Sequence, residues 1–412
     1  MQLKLNGIWL MLIMLTGVFS LLFLWFTLFP GRVNPEIGQY FSARQISQGR
    51  DYVQGMRLVF IGGFITQTVF LLWLVFGGRA VALSRWIQQF TGGGLVSYVL
   101  FFLVLWLLLR LINLPFDLFG SYYWQHHWRF STQPLGNWWL DYFKSAGLEV
   151  VLSAVGVALL FWIMGRWSNA WWLVGAIFLS LWLVVQSYLW PVLVSPLFNR
   201  FEPTKDPAVL AMVDELSQKA QLPVDRVLVM DASQRTTKAN AYFTGLGGTR
   251  RIVLYDNLLA DYPADEVRAV VAHEMAHWRQ GHIAKGLGMG VLGNFIIWGL
   301  LFMTLKTTIP TISAIPRYGQ YPPYTWAVIV LFLTLISFTA NPLMNHFSRN
   351  MEFEADRVAV RLTGDAPAAE RLQVRLAAKN LSDVAPPAFI EWFSYSHPPA
   401  PARIRAIQQA AE

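Results

Sequence analysis

Seven long runs of mostly apolar residues, at about 8–29, 58–76, 95–112, 148–165, 170–194, 287–305 and 324–341, constrain this chain more than any other feature. Each is near the roughly 20 residues a helix needs to cross the hydrocarbon core of a bilayer. In lipid there is no water to pair with backbone N–H and C=O groups, so such a run must close its hydrogen bonds internally, as helix. Trp9, Trp106, Tyr122, Trp138, Trp139, Trp167, Trp171 and Trp190 crowd the run ends, where amphipathic rings meet lipid headgroups. Composition agrees: 55% of the 412 residues are hydrophobic and 14% are charged, with mean hydropathy +0.41, against about 25% charged in soluble domains. The first run is too long for a signal-peptide core and ends in TLFPGR, with no small-residue cleavage site, so it reads as a span. The expectation is a mostly α, polytopic integral membrane protein in contact with lipid.

The chain has no cysteine, which excludes disulfides and thiolate metal sites. Its net charge of +8 is read as membrane topology rather than nucleic-acid binding, because polytopic proteins gather Lys and Arg on the cytoplasmic side, facing anionic lipid. An odd span count puts the termini on opposite sides. Lys4, Arg79, Arg85, Arg166, Lys306 and Arg317 flank the spans on the N-terminal side, against thirteen Lys and Arg in comparable positions on the other. That bias favours a cytoplasmic C-terminus.

Two polar blocks interrupt the spans and divide the chain into four parts: an amino-terminal membrane domain with five spans (1–194), a polar segment (195–286), two further spans (287–342) and a helical carboxy-terminal part (343–412). In the first block SPLFNRFEPTKDP reads as a linker and PAVLAMVDELSQKAQ (207–221) as a helix with Pro207 in its first turn. RVLVMD (226–231) and RIVLYD (251–256) read as short strands, and NAYFTGLGGTR between them as a strand with a Gly-rich hairpin turn. After Pro263 the pattern turns helical, with Val267, Val270, Val271 and Glu274 recurring at three and four and with Gly281 and Gly286 limiting the far end. Both blocks adjoin the final pair of spans, so they can form one domain on one membrane face.

Within that helix stands HEMAH (273–277), an H-E-x-x-H pattern. His273 and His277 are four apart and project from one face, where they can take two corners of a zinc tetrahedron. Glu274 sits about 100° around the helix, placed to take a proton from metal-bound water. A catalytic zinc usually takes a third protein ligand, and the candidates are His282, His346, Glu352, Glu354, Glu391 and His397. His282, five residues past His277, is expected to face elsewhere on the same helix, as a surface or structural histidine. In MEFEAD, Glu352 and Asp356 share a face, so Glu352 can bind metal while Asp356 holds a ligand imidazole by its ring N–H. Glu354 is expected to point to the opposite side as a solvated carboxylate. Spacing favours Glu352 among the candidates.

VVAHEMAHW, then SRNMEFEAD after the last span, then SHPPAPAR resemble the type 1 CAAX prenyl proteases, integral-membrane zinc metalloendopeptidases of gluzincin type. NAYFTGLGGTRRIVLYDNLL, PFDLFGSYYWQHHWRF and PLFNRFEP extend the resemblance over nearly the whole chain. It implies one zinc per chain on His273, His277 and Glu352, Glu274 as base and Asp356 behind the ligands, with His397 and Arg403 lining the cleft. It further implies seven helices around a large intramembrane chamber, with the protease domain capping one end; with the charge bias, the expectation is a zincin-like α+β metalloprotease domain on the cytoplasmic side. Eukaryotic members trim prenylated CAAX tails, and nothing in this sequence reports a prenyl group. A shorter, four-span group of related enzymes degrades damaged membrane proteins, and seven spans argue against membership of it.

The leading expectation is a membrane zinc endopeptidase acting on a peptide or protein substrate, which lies as an added strand along an edge near 239–256 that includes Asn240. His397, stiffened by prolines, is expected to donate to the oxyanion. Arg403 either steadies that segment or holds a substrate carbonyl. The rivals are a quality-control protease of the same chemistry, an inactive scaffold and a transporter. Transport sites place ionisable groups at mid-membrane depth, whereas these span interiors carry mainly amides and hydroxyls such as Gln67, Gln186 and Asn294.

Overall fold

In the computed structural model, residues 3–244, 250–309 and 321–412 are described. The element order is α1 (Gly7–Leu28), α2 (Ala43–Phe76), α3 (Arg79–Thr91), α4 (Leu95–Leu118), α5 (Trp124–His127), α6 (Leu135–Arg166), α7 (Trp171–Leu189), β1 (Phe201–Pro203), α8 (Pro207–Ala220), β2 (Arg226–Met230), β3 (Ala241–Thr244), β4 (Arg251–Tyr255), α9 (Asp256–Asp261), α10 (Ala264–Arg279), α11 (His282–Thr308), α12 (Thr325–Thr363), α13 (Ala366–Lys379), α14 (Ala388–Ser394) and α15 (Ala400–Ala411). Among the described residues seven helical stretches, built on α1, α2, α4, α6, α7, α11 and α12, are long and apolar enough to cross a membrane. All seven expected spans are therefore helical, and several run well past their apolar stretches.

Two cores are held by different physics. The membrane core gathers Trp9, Leu71, Phe101, Trp171 and Phe332, all fully buried. Lipid tails are as apolar as these side chains, so tight packing and interhelical hydrogen bonds do the holding there. Trp9 Nε1 donates to Thr308 Oγ1 at 2.7 Å, tying α1 to the end of α11. Asn294 Nδ2 donates to the Ala176 carbonyl at 2.9 Å and to Ser180 Oγ at 3.0 Å, tying α11 to α7. The outer faces carry exposed apolar side chains such as Leu21, Val155 and Leu292, as lipid-facing helices should. The second core lies in the polar blocks, where Leu216, Ile252, Leu254, Val271, Met275 and Ala355 are fully buried. Removal of apolar surface from water drives that packing, at roughly 25 cal/mol per Å².

The sheet has order β1-β2-β4-β3, with β2 and β4 parallel and both outer pairings antiparallel. β3 is thus an edge strand. The expected hairpin has its two strands, while its turn, at 245–249, lies outside the described residues. β1 is a short strand that its Pro203 conceals in the sequence. Likewise the amphipathic α3 lies in a connection with no apolar run to announce it.

The two halves interlock through α2. Arg57, buried on that helix, donates to Asp383 Oδ2 at 2.9 Å and to the Tyr395 hydroxyl at 2.8 Å. About two turns further out Gly49 lets the α2 backbone lie against the Leu381–Ser382 turn, where any Cβ would collide with the Ser382 carbonyl. Lys238, just before β3, donates to the Tyr52 hydroxyl at 2.7 Å and sits over the Phe130 ring. The segments carrying β3 and His397 are therefore both pinned to a membrane helix. α12 is continuous through Pro342 into the second polar block, so the composition change near residue 343 is no structural break.

Candidate functional site

α10 begins after Pro263, with Asp265 and Glu266 in its first turn, where carboxylates suit the positive end of the helix dipole. Its fully or nearly buried Val267, Val271 and Met275 pack into the second core, and Phe243 of β3 lies against Trp278 with ring centroids 4.8 Å apart. Glu266, fully buried, is paired with Arg375 at 2.7 Å. These contacts fix the helix so that His273, Glu274 and His277 line a cleft of about 580 Å³.

Opposite them, α12 supplies Glu352. His273 Nε2 and His277 Nε2 lie 3.1 Å apart, and each is 3.3 Å from one oxygen of the Glu352 carboxylate. One of those oxygens, Oε2, is buried and makes no hydrogen bond. Its nearest cation, Arg403 Nη2, is 3.5 Å away; a buried carboxylate oxygen without a hydrogen bond is costly, and three lone-pair donors converging on one point are what a cation resolves. A tetrahedral centre with bonds of about 2.0–2.2 Å sets neighbouring donor atoms roughly 3.3–3.6 Å apart. The His273–His277–Glu352 cluster fits a metal.

Behind the cluster, His273 Nδ1 meets Asp356 Oδ1 at 3.0 Å. Arg403 from α15 grips Asp356 with two hydrogen bonds, Nε to Oδ2 at 2.7 Å and Nη2 to Oδ1 at 2.6 Å. Asp356 is buried, so removing Arg403 strands its charge at a cost of roughly 3–5 kcal/mol. Burial opposes a charge on His273, yet the adjoining Asp356 and Glu352 carboxylates hold the ring's pKa up at about 9. Burial pushes the Glu274 carboxyl above its usual range, against the pull of His273 and His277.

His397 arrives on the turn between α14 and α15, with Nε2 3.3 Å from Glu352 Oε1 and its side chain 62% exposed. The neighbouring protein still strips enough water from the ring to hold its pKa below the ordinary histidine value. Arg349 fixes this turn by donating to the Glu391 and Tyr395 carbonyls at 3.0 and 2.6 Å. Asn240, at the start of β3, lines the cleft and is exposed to it, with its side-chain oxygen accepting from the Ala241 amide at 2.9 Å.

The structure therefore brings Asn240, His273, Glu274, His277, Glu352, His397 and Arg403 to one cleft, with Asp356 directly behind it. His346 stays outside on an exposed face of α12, bonded to Asn350. Two expectations fail. His282 is buried against His277 rather than facing away, and Glu354 is bonded to His282 and Lys285 rather than merely solvated. Sequence periodicity misses both because α10 ends at Arg279 and Gly281, in the left-handed region at φ 66°, redirects the chain before α11 starts. Gly286 lies inside α11 and limits nothing.

An H-E-x-x-H helix, a glutamate from a second helix and a small mixed sheet, set on seven membrane helices, define a membrane metallopeptidase. The family model for Peptidase family M48 matches residues 203–411, and the chain belongs to that family. The model for the five-helix CAAX prenyl protease N-terminal domain matches residues 29–200. The chain is similar to the "Uncharacterized metalloprotease YhfN" of Bacillus subtilis, at 29% identity over 85% of this chain and 82% of that protein. It is also similar to CAAX prenyl protease 1 of Saccharomyces cerevisiae, at 28% identity over 73% of this chain and 70% of the other. The crystal structure of S. mikatae Ste24p superimposes with a TM-score of 0.84 over 96% of this chain and 97% of that one, at 23% identity, which carries the fold. The chain is a metalloendopeptidase of the membrane with peptide or protein substrates, and the transporter, scaffold and quality-control readings are not favoured.

Proposed function

We propose that the metal is zinc, held one per chain by His273, His277 and Glu352, and that Glu274 is the general base. The observation that carries this reading is the convergence of one donor atom each from His273, His277 and Glu352, a buried carboxylate with one oxygen that makes no hydrogen bond, with Glu274 beside them. Zinc, when bound, polarises the scissile carbonyl and lowers the pKa of water. The protein does the rest. The substrate backbone adds to the open edge of β3 beside Asn240 and is held extended across the cleft. Glu274 accepts the proton of the attacking water and passes it to the leaving amine. His397 donates its ring N–H to the carbonyl oxygen as negative charge builds there. Arg403 anchors Asp356, and its bidentate pairing favours that role over holding a substrate carbonyl.

The substrate is a peptide presented at the membrane surface, lipidated or itself membrane-bound, since the cleft adjoins α11 and α12 where they leave the spans. The reading keeps a five-span amino-terminal part (1–194) and a protease domain assembled from 195–286 and 343–412, with the last two spans (287–342) between them. It places that domain and the C-terminus in the cytoplasm, on the thirteen-to-six charge bias. Tags on the two termini should report from opposite compartments; both on one side would reject the topology. For the chemistry, Glu274→Gln should keep its metal and lose roughly 10²–10⁴-fold in turnover. Native-rate cleavage by that variant would remove Glu274 from the mechanism. The inactive variant, retaining the cleft, should also trap substrate peptides for identification.

A further inference from the structure

The two metal-binding imidazoles are supported from behind by different groups, and one support has no assigned role. His273 turns its Nδ1 to Asp356, and Asp356 is paired with Arg403. His277 turns its Nδ1 to His282 Nδ1, 2.9 Å away. His282 in turn meets Glu354 Oε2 through Nε2 at 3.1 Å, and Lys285 Nζ lies 3.3 Å from the same oxygen. His282 is 5% exposed. A buried histidine at the start of a membrane helix with both ring nitrogens engaged is more than packing.

We propose that His282 and Glu354 form a relay that orients His277 as a metal ligand, an inference that rests on the His273–His277–Glu352 centre proposed above. Protons can be placed along it in one consistent way. A metal on Nε2 of His277 leaves the ring proton on Nδ1, so that N–H donates to Nδ1 of His282. With Nδ1 accepting, His282 carries its own proton on Nε2 and donates it to the Glu354 carboxylate. Both ligand rings then end on a carboxylate backed by a cation, Asp356 with Arg403 on one side and Glu354 with Lys285 on the other. Such outer partners fix the tautomer and aim of a ligand imidazole and raise its basicity. Here the partner comes from α11, across the bend at Gly281, so the relay also ties the metal helix to a membrane span. His282 and Glu354 are positioning residues, since neither reaches the cleft's reacting atoms.

The test is zinc affinity of the full-length protein in detergent, stripped of metal and titrated with zinc against a competing chelator. His282→Ala should bind zinc about 10–100-fold more weakly, the usual loss for an outer partner. His282→Asn puts an acceptor oxygen where Nδ1 stood and should recover most of that loss. Glu354→Ala should cost roughly 2–10-fold, as for one partly exposed hydrogen bond, and should cost nothing further once His282 is alanine. Cobalt(II) in place of zinc should show a changed visible spectrum in His282→Ala and a near-native one in His282→Asn. Native zinc affinity in His282→Ala, or an equal cost of Glu354→Ala in both backgrounds, overturns the relay. Should His282→Ala fail to fold, His282→Asn, Glu354→Ala and their double variant carry the same test. His277→Ala is the control: if it keeps native zinc affinity, the metal centre itself has been misread; if it loses zinc while His282→Ala does not, only the relay fails.

Discussion

His273 and His277 stand one turn apart on a single helix, yet they divide the site into a closed flank and an open one. On the closed flank Asp356 is buried and touches the ring directly, and Arg403 of α15, 12% exposed, clamps it twice. On the open flank the last carboxylate, Glu354, has a side chain 36% exposed, and its cation Lys285 is 51% exposed. The charged end of the chain is set back toward water, and a neutral imidazole stands between it and the ligand. A buried carboxylate needs a cation beside it, and Arg403 supplies one to Asp356. The lesson is that two imidazoles of one cluster can be backed by a rigid wall and by a softer one.

The largest effect that sharpens this contrast is expected at His397, the ring that reaches the cluster from the cleft mouth. His397→Ala should keep zinc and fold while kcat falls by roughly 10²–10³, the range for one lost oxyanion donor. Loss of zinc in that variant would make His397 a ligand and erase the distinction between mouth and cage, while unchanged kcat would reduce it to a turn residue. Next comes Asp356→Ala, expected to lower zinc affinity or activity about 10–100-fold. A loss no greater than that of Glu354→Ala would mean that the closed flank is no stiffer than the open one. The smallest is Gly281→Ala. A Cβ there meets nothing within 4 Å, so the penalty comes from the left-handed backbone alone, about 1–2 kcal/mol, read as a lowered unfolding midpoint. Zinc affinity should fall by less than in His282→Ala, since the bend is strained rather than its imidazole removed.

How far each flank is legible in the sequence follows the same division. Glu352 and Asp356 lie four apart on an uninterrupted helix, so periodicity places both correctly relative to His273 and His277. His282 follows His277 by five residues across a bend, and helical arithmetic continued through Gly281 sends it to the wrong side. Glu354 is two residues from Glu352 and does face away from the metal; what spacing cannot reveal is that α11 begins there and supplies a partner. The seven spans are legible because a bilayer imposes their length. Their continuation into the polar blocks is not, because Pro342 and the change of composition imitate a boundary. The Arg57–Asp383–Tyr395 contact joins residues more than 300 positions apart, and no local pattern announces it.

α12 carries one more consequence. It is a single helix of 39 residues, about 58 Å long, while the hydrocarbon core of a bilayer is about 30 Å thick. One end is immersed in lipid and the other bears Glu352 and Asp356. Helices answer a bilayer of the wrong thickness by tilting, and a tilt at one end of a stiff rod is a displacement at the other. The thickness of the bilayer around the spans and the placing of Glu352 and Asp356 therefore bear on two ends of one helix.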